Sequence, residues 1–420
     1  MQFAPEAVPA TPPRKRKFMF FPMTSVIAHS SHALETAKVL RARGHDVVFA
    51  GRLADKGRSR MHMIEDNGFR VVHAEEPNFE YIWDAILKWG FAGMYIEFSR
   101  PRKWADFDAI MESQIRAIKD EQPDAVIGCG ALTMSNSAYV CGVPALNIHN
   151  AYMVDFVLRY SYFRYWWLWY DWNFLAPQRN KVYKRHGVKP VRAIELYRAS
   201  PLLSPDIPGL YETCAYFHNA KQIGPILFDF PAPLPDWFGE LDDGRPNVYI
   251  TMGSTGSFDA FLKRSYRALS TLPYRFIVTT AGQVSDDTQR NAPKNFRFTK
   301  YAPGAELLRH CAAMIFHGGN GSMYQALAAG VPMLAIPTHM EQVLNSRIAA
   351  RAGFCKWILK QRAATAGFAR IVRDIVENDF YRNAARKYAD QVRTTNGAVN
   401  AAACCEQIAS SSALGERCGN

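Results

Sequence analysis

Short, mostly apolar runs alternate along this chain with stretches whose apolar residues recur every three or four positions. The first run, Lys17–Met23, reads as a buried strand. Ser31–Arg43 reads as a helix, with Ala33, Ala37 and Leu40 on one face and a basic last turn. Gly44 ends it, because glycine adopts the left-handed conformation after a helix at little cost. Asp46–Ala50, Ala125–Gly128 and Ala145–Ile148 read as further strands. Strands apolar on both faces, separated by helical segments, predict parallel sheet covered by helices on either side.

The alternation breaks at Gly224–Trp237, which carries Pro225, Pro231, Pro233 and Pro235, and then restarts. Asn247–Met252, Phe276–Thr280, Ala312–Phe316 and Val331–Ile336 read as strands, Ala260–Leu269 and Ser322–Ala329 as helices. Helical patterning over Ala364–Val376 and Tyr381–Ile408 closes the chain. The expected organisation is a disordered tail (1–14), a first α/β domain (15–220), a linker (221–245), a second α/β domain (246–380) and C-terminal helices returning to the first domain (381–420). In such sheets ligands bind outside the carboxyl ends of the strands, so the turns after Met23, Met252 and Phe316 hold the candidate chemistry.

Composition narrows the classes. At 420 residues and 48% hydrophobic content the chain is long and apolar enough to bury sizeable cores, which excludes global disorder. No run reaches the roughly 18–20 apolar residues of a membrane span, and Phe18–Met23 is too short for a signal-peptide core. The expected location is cytoplasmic, with the eight cysteines, which form no CxxC pair, as free thiols. The formal charge of +12 favours anionic partners. The one dense basic run, Arg14-Lys15-Arg16-Lys17, reads as a solvated flank, and no nucleic-acid motif accompanies it.

The strongest motif runs from Phe316 through His317-Gly318-Gly319-Asn320-Gly321-Ser322 to Gly330-Val331-Pro332. A glycine-rich turn lets backbone approach a ligand, and the N-terminus of the next helix favours a phosphate. Downstream, Glu341-Gln342 stands at a strand mouth as a carboxylate and amide suited to sugar hydroxyls. Upstream, Tyr301-Ala302-Pro303 offers an aromatic for stacking on a base. From Tyr301 to Gln342 the chain resembles the nucleotide-sugar signature of UDP-glycosyltransferases of glycosyltransferase family 1, the natural-product and macrolide type. The resemblance implies the GT-B fold, two Rossmann-like doubly wound domains facing across a cleft. It implies an inverting, metal-independent transfer from a UDP- or TDP-sugar to a hydroxyl of a hydrophobic acceptor, with no cofactor.

The resemblance also implies roles. His317, Gly319 and Ser322 match positions that hold the donor diphosphate, as do Gly253 and Ser254 at the turn opening the second domain. Glu341 and Gln342 match the pair that binds the donor sugar. Tyr301 falls where an aromatic stacks on the base and Ala302 where backbone contacts it. Gln325 falls where a glutamate usually grips the ribose. Tyr301, Gly304 and Gln325 replace the family's Trp, Gln and Glu.

The base that takes the acceptor's proton is expected to be a histidine, whose ordinary pKa near 6.5 suits the task. His29 and His32 both fall on the predicted turn after the first strand, and His29 stands fifteen residues before Gly44 of Arg43-Gly44-His45, a spacing similar to the family's. His29 is the choice and His32 the reserve. The carboxylate that usually orients this histidine is missing: its position is Cys129, a weak acceptor. Asp155 or Glu97 are alternatives for that role. Ten aromatics crowd residues 160–174, with Tyr165, Trp166 and Trp169 as candidate acceptor contacts. The run also reads as a buried helix or a membrane-interface patch. Two rival functions follow: a membrane-peripheral transferase acting on a lipid or sterol, and a non-catalytic protein that binds a nucleotide sugar.

Overall fold

The computed structural model describes residues 14–53, 60–77, 106–131, 133–149, 175–211, 219–229, 231–253, 258–338, 340–365 and 367–410. Two all-parallel sheets organise these residues. The first contains β1 (Lys17–Pro22), β2 (Asp46–Gly51), β3 (Arg70–His73), β4 (Ala125–Cys129), β5 (Ala145–Ile148), β6 (Leu202–Ser204) and β7 (Ala220–Gln222), in the order β3-β2-β1-β4-β5-β6-β7. The second contains β8 (Asn247–Thr251), β9 (Arg275–Thr279), β10 (Phe296–Thr299), β11 (Cys311–Phe316), β12 (Met333–Ala335) and β13 (Cys355–Trp357), in the order β10-β9-β8-β11-β12-β13. In both sheets the order reverses beside the first strand, between β1 and β4 and between β8 and β11. These switch points leave a crevice at the carboxyl ends of the strands.

The helices of the first half are α1 (Ile27–Ala42), α2 (Met61–Glu65), α3 (Phe107–Glu121), α4 (Met134–Cys141), α5 (Leu175–Arg185) and α6 (Ala193–Ala199). Those of the second are α7 (Phe258–Leu269), α8 (Asp286–Arg290), α9 (Gly304–Arg309), α10 (Asn320–Ala328), α11 (Met340–Arg351) and α12 (Gly367–Glu377), followed by α13 (Asp379–Thr394) and α14 (Gly397–Ser410). Among the described residues no helix is long and apolar enough to cross a membrane.

The apolar runs are explained by burial on both faces. Phe18 and Phe20 of β1 join Ala125 and Ile127 of β4 in one core, while Met19 and Phe21 join Val126 in another. In the second sheet Val248 and Ile250 point to one core and Tyr249 to the opposite one. Side chains alternate across a strand, so only a continuous apolar run can fill two cores at once.

The last two helices serve different cores. Ala385 and Val392 of α13 pack in the second half, against the core that contains Met323 and Leu327 of α10. Gly397 opens α14 where any side chain would strike the carbonyl of Gly224, and Ala398, Ala401, Ala402 and Cys405 then pack with Leu34, Ala37 and Leu40 of α1. Glu406 anchors this contact, accepting from Arg43 at 2.7 Å and His45 at 3.0 Å. The basic flank at the start of the chain is mostly paired: Lys15 with Asp46, Arg16 with the carbonyl of Ala409, and Lys17 with Glu121.

The two halves are also joined through a buried carboxylate. Asp206, just past β6 and fully buried, accepts hydrogen bonds from Ser204 at 2.5 Å, Asn320 Nδ2 at 2.9 Å and Tyr324 OH at 3.0 Å. The Tyr324 hydroxyl in turn accepts from the backbone N–H of Ile207. Nearby, Tyr211 donates to Asn345, which donates to the carbonyl of Gly318. Removing the carboxylate strands several buried donors, each costing about 1–3 kcal/mol. Asp206→Ala is therefore expected to lower stability by about 3 kcal/mol or more, with Asp206→Asn milder. Urea unfolding checks this, and midpoints equal to wild type in both variants would contradict it.

Candidate functional site

The helix after β1 begins earlier than the sequence suggests. The expected start is Ser31, but α1 starts at Ile27, with Val26 before it making no side-chain cap. Ser31 instead folds its hydroxyl back onto the carbonyl of Ala28, at 3.0 Å. His29 and His32 thus stand in the first two turns of α1 rather than on a turn. They differ in surroundings. His32 is buried beneath the helix, whereas the His29 ring rests on Gly130, the residue after β4. A Cβ at Gly130 would lie 2.7–2.8 Å from that ring, and the backbone there has φ +72°, so only glycine fits. Nδ1 of His29 is buried with no hydrogen-bond partner.

Cys129 is fully buried in the core with Ala125, Ile127 and Cys405. Burial pushes its thiol well above the ordinary range. The position expected to orient His29 is therefore a neutral, core-facing side chain. Asp155 and Glu97 lie outside the described residues, as do Tyr165, Trp166, Trp169 and Ser254. Beside Gly130, the ends of β1, β2 and β4 open on a small cavity lined by Phe21, Met23, Gly51, Glu76, Gln114 and Thr133. Burial raises the Glu76 carboxyl pKa, although the carboxyl accepts hydrogen bonds from the backbone and hydroxyl of Thr24.

A further histidine meets this group. His149 follows β5, is 4% exposed, and has no partner at either ring nitrogen. Its only sequence signal is a histidine one residue past a short strand.

In the second half the two switch-point turns meet at His317. Gly253 follows β8 with φ +59°, and Gly319 precedes α10. The His317 ring lies between them: a Cβ at Gly253 would be 2.7 Å from Cε1, and one at Gly319 2.3 Å from Nε2. Gly318, at φ +89°, packs against Gln342 and Ser346. Asn320, Gly321 and Ser322 then form the first turn of α10, whose backbone N–H groups have no partners within the helix.

The other expected donor contacts are placed differently. Tyr301 is 41% exposed after β10, with Lys300 Nζ 5.8 Å from its ring, and Ala302 is buried. Gln325 donates to the carbonyl of Phe228 at 2.5 Å. The neighbouring Asp229 accepts from the backbone N–H of Gly304 and Ala305, at 2.8 and 3.0 Å, and so caps α9. Gln342 is 2% exposed, and its Oε1 accepts from both the backbone and the hydroxyl of Thr338, each at 2.9 Å. That oxygen is used inside the fold. Glu341 is half-buried near Tyr211, where its charge adds to burial and Asp206 in raising the phenol.

Residues 267–407 match the family described as "Erythromycin biosynthesis protein CIII-like, C-terminal domain". The chain is similar to a PGL/p-HBAD biosynthesis glycosyltransferase of Mycobacterium tuberculosis, with 26% identity over 92% of this chain and 91% of that protein. It is similar to a PGL/p-HBAD biosynthesis rhamnosyltransferase of Mycobacterium bovis, with 25% identity over 92% and 86%. Its fold matches the crystal structure of the glycosyltransferase VinC in complex with DTDP, with a TM-score of 0.71 and 18% identity over 94% of this chain and 99% of that one. The architecture is GT-B.

Burial holds His29 and His317 at pKa values of about 4, and His32 and His149 at about 3, the last two lowered further by the charge His29 would carry. All four fold as neutral rings, while the unfolded chain takes up protons near pH 6.5. The folded state thus binds fewer protons, and its stability is complete above pH 6.5 and falls as pH drops toward 4. Thermal unfolding between pH 7.5 and 4 should show a steadily falling Tm. A Tm that is flat or rises on acidification would contradict this.

Proposed function

We propose that this chain, a GT-B glycosyltransferase, belongs to the family-1, EryCIII-like group and transfers a deoxysugar from a TDP-sugar to a hydroxyl of a hydrophobic acceptor, with inversion and with His29 as base. The observation that carries the donor side is His317, seated between Gly253 and Gly319 at the mouth of α10. Neutral ring, glycine-lined backbone and open helix N–H groups make a site for a diphosphate that accumulates charge as it leaves.

In the reaction, Nε2 of His29 takes the acceptor's hydroxyl proton. The oxygen attacks the anomeric carbon on the face opposite the diphosphate, a new C–O bond forms, and the bond to phosphate breaks with its electron pair on the diphosphate. A pKa near 4 keeps the base free of a proton at neutral pH.

Two points favour thymidine over uridine donors. A carboxylate suits the two hydroxyls of a ribose, and here the position is Gln325, whose amide is spent on Phe228. A deoxyribose makes less demand on it. The relatives include a rhamnosyltransferase and a structure holding DTDP. The buried setting of Gln342 assigns its oxygen to holding Thr338, which leaves Glu341 as the stronger sugar contact.

The test is transfer from TDP-rhamnose, TDP-glucose and UDP-glucose to a mixed phenolic and macrolide acceptor set, with vesicle pelleting to detect a membrane-bound acceptor. His29→Ala should lower kcat by roughly 10²–10⁴-fold while TDP affinity stays within about twofold, as expected for a residue that acts on the acceptor's proton and not on the nucleotide. Unchanged turnover in that variant would overturn the base, and donor binding without turnover in wild type would favour a binding protein.

A further inference from the structure

We propose that His149 is the positioning residue for His29, accepting a hydrogen bond from Nδ1–H through one bridging water, and so replacing the carboxylate that Cys129 cannot supply. The inference rests on His29 as the base and goes beyond it by naming its partner.

Three observations carry it. First, Nδ1 of His29 is buried without a partner, although a base working through Nε2 needs its other nitrogen held. Second, the sheet brings the two histidines together. β4 and β5 are in register with Cys129 opposite Ile148, so Gly130 and His149 are neighbours one residue past the sheet. The His29 ring lies on Gly130. A charge on His29 would oppose one on His149. Third, His149 is almost wholly buried with both nitrogens unbonded. Leaving a buried polar group unmatched costs free energy, so an orphan of this kind calls for an explanation. Tyr197 does not supply it: its ring is 5.7 Å away, centroid to centroid, and its hydroxyl points to the carbonyl of Ala131.

The chemistry is consistent. With the proton of neutral His29 on Nδ1, Nε2 carries none and can take the acceptor's. As Nε2 takes the acceptor's proton, the ring becomes cationic and Nδ1–H a stronger donor toward a neutral imidazole. No bond at His149 is made or broken, and the proton stays on His29 until water removes it. Among the described residues the titratable groups around the pair are His32 on α1, Cys129 on β4 and Tyr197 on α6. Among the described residues no carboxylate perturbs either ring.

The experiment uses the full chain with His29→Ala, His149→Phe and His149→Gln. Long-range ¹H–¹⁵N NMR on histidine-labelled protein reads the His29 tautomer, identified by its loss in His29→Ala, and needs no substrate. Kinetics with TDP-rhamnose and a phenol read kcat and KM. Expected are an Nδ1–H tautomer of His29 in wild type that is lost or mixed in His149→Phe, and a kcat lowered roughly 10- to 100-fold there with acceptor KM and TDP affinity within twofold. His149→Gln, which keeps an acceptor oxygen, should restore much of both. The midpoint of the acid limb of the rate should move between wild type and His149→Phe. If His149→Phe does not fold, His149→Leu, which also lacks an acceptor, takes its place on the same readouts. Activity lost in His29→Ala, but kept with an unchanged His29 tautomer in His149→Phe, overturns this proposal alone. Activity kept in His29→Ala overturns the base assignment and the proposal together.

Discussion

The site in the second half depends on a carboxylate that belongs to the first. Asp206 reaches from beyond β6 to Asn320 and Tyr324, the first and fifth residues of α10. Buried bonds to a charged group are among the stronger ones a fold can make, and they are directional. They fix where α10 begins and how its first turn faces the first sheet. Gly319 and His317 immediately precede that turn, so their placement follows from it. The bond from Asn345 to the carbonyl of Gly318 secures the same loop from the other side.

This arrangement explains how the chain assembles a polar site from apolar surroundings. Both sheets are buried on two faces, and water-exposed chemistry is confined to the strand ends at the two order reversals. Burial there keeps the histidines neutral. A neutral His29 can accept a proton at pH 7, and a neutral His317 can donate a hydrogen bond without holding a fixed charge beside it. Glycines at 130, 253 and 319 are required because imidazole rings occupy the space a side chain would take. The linker contributes as well: Phe228 and Asp229 tie Gln325 and the start of α9 to the irregular stretch after β7.

Much of this was readable from the chain. The runs around Phe18–Phe21, Val248–Ile250 and Ala313–Phe316 could serve only strands buried twice over, and the segments after them held His29, Gly253 and His317. Other features follow from contacts that local pattern does not encode. The helix α1 begins at Ile27, ahead of the expected Ser31, with no side-chain cap to mark its start. Gln342 sits beside Glu341 in sequence, yet its oxygen serves Thr338. The helical pattern from Tyr381 to Ile408 concealed the break between α13 and α14, which sends one helix to each core. His149 gave little signal and Asp206 none, since only strand register and contact between the halves give them meaning.

The claim on which the account turns is that the donor's diphosphate is held at the start of α10. A crystal structure of the full chain with TDP tests it most directly. The account predicts phosphate oxygens against the backbone of Gly319–Ser322 and the ring of His317, with the base near Tyr301. A nucleotide bound elsewhere, or diphosphate density that makes no contact with the first turn of α10, would contradict it.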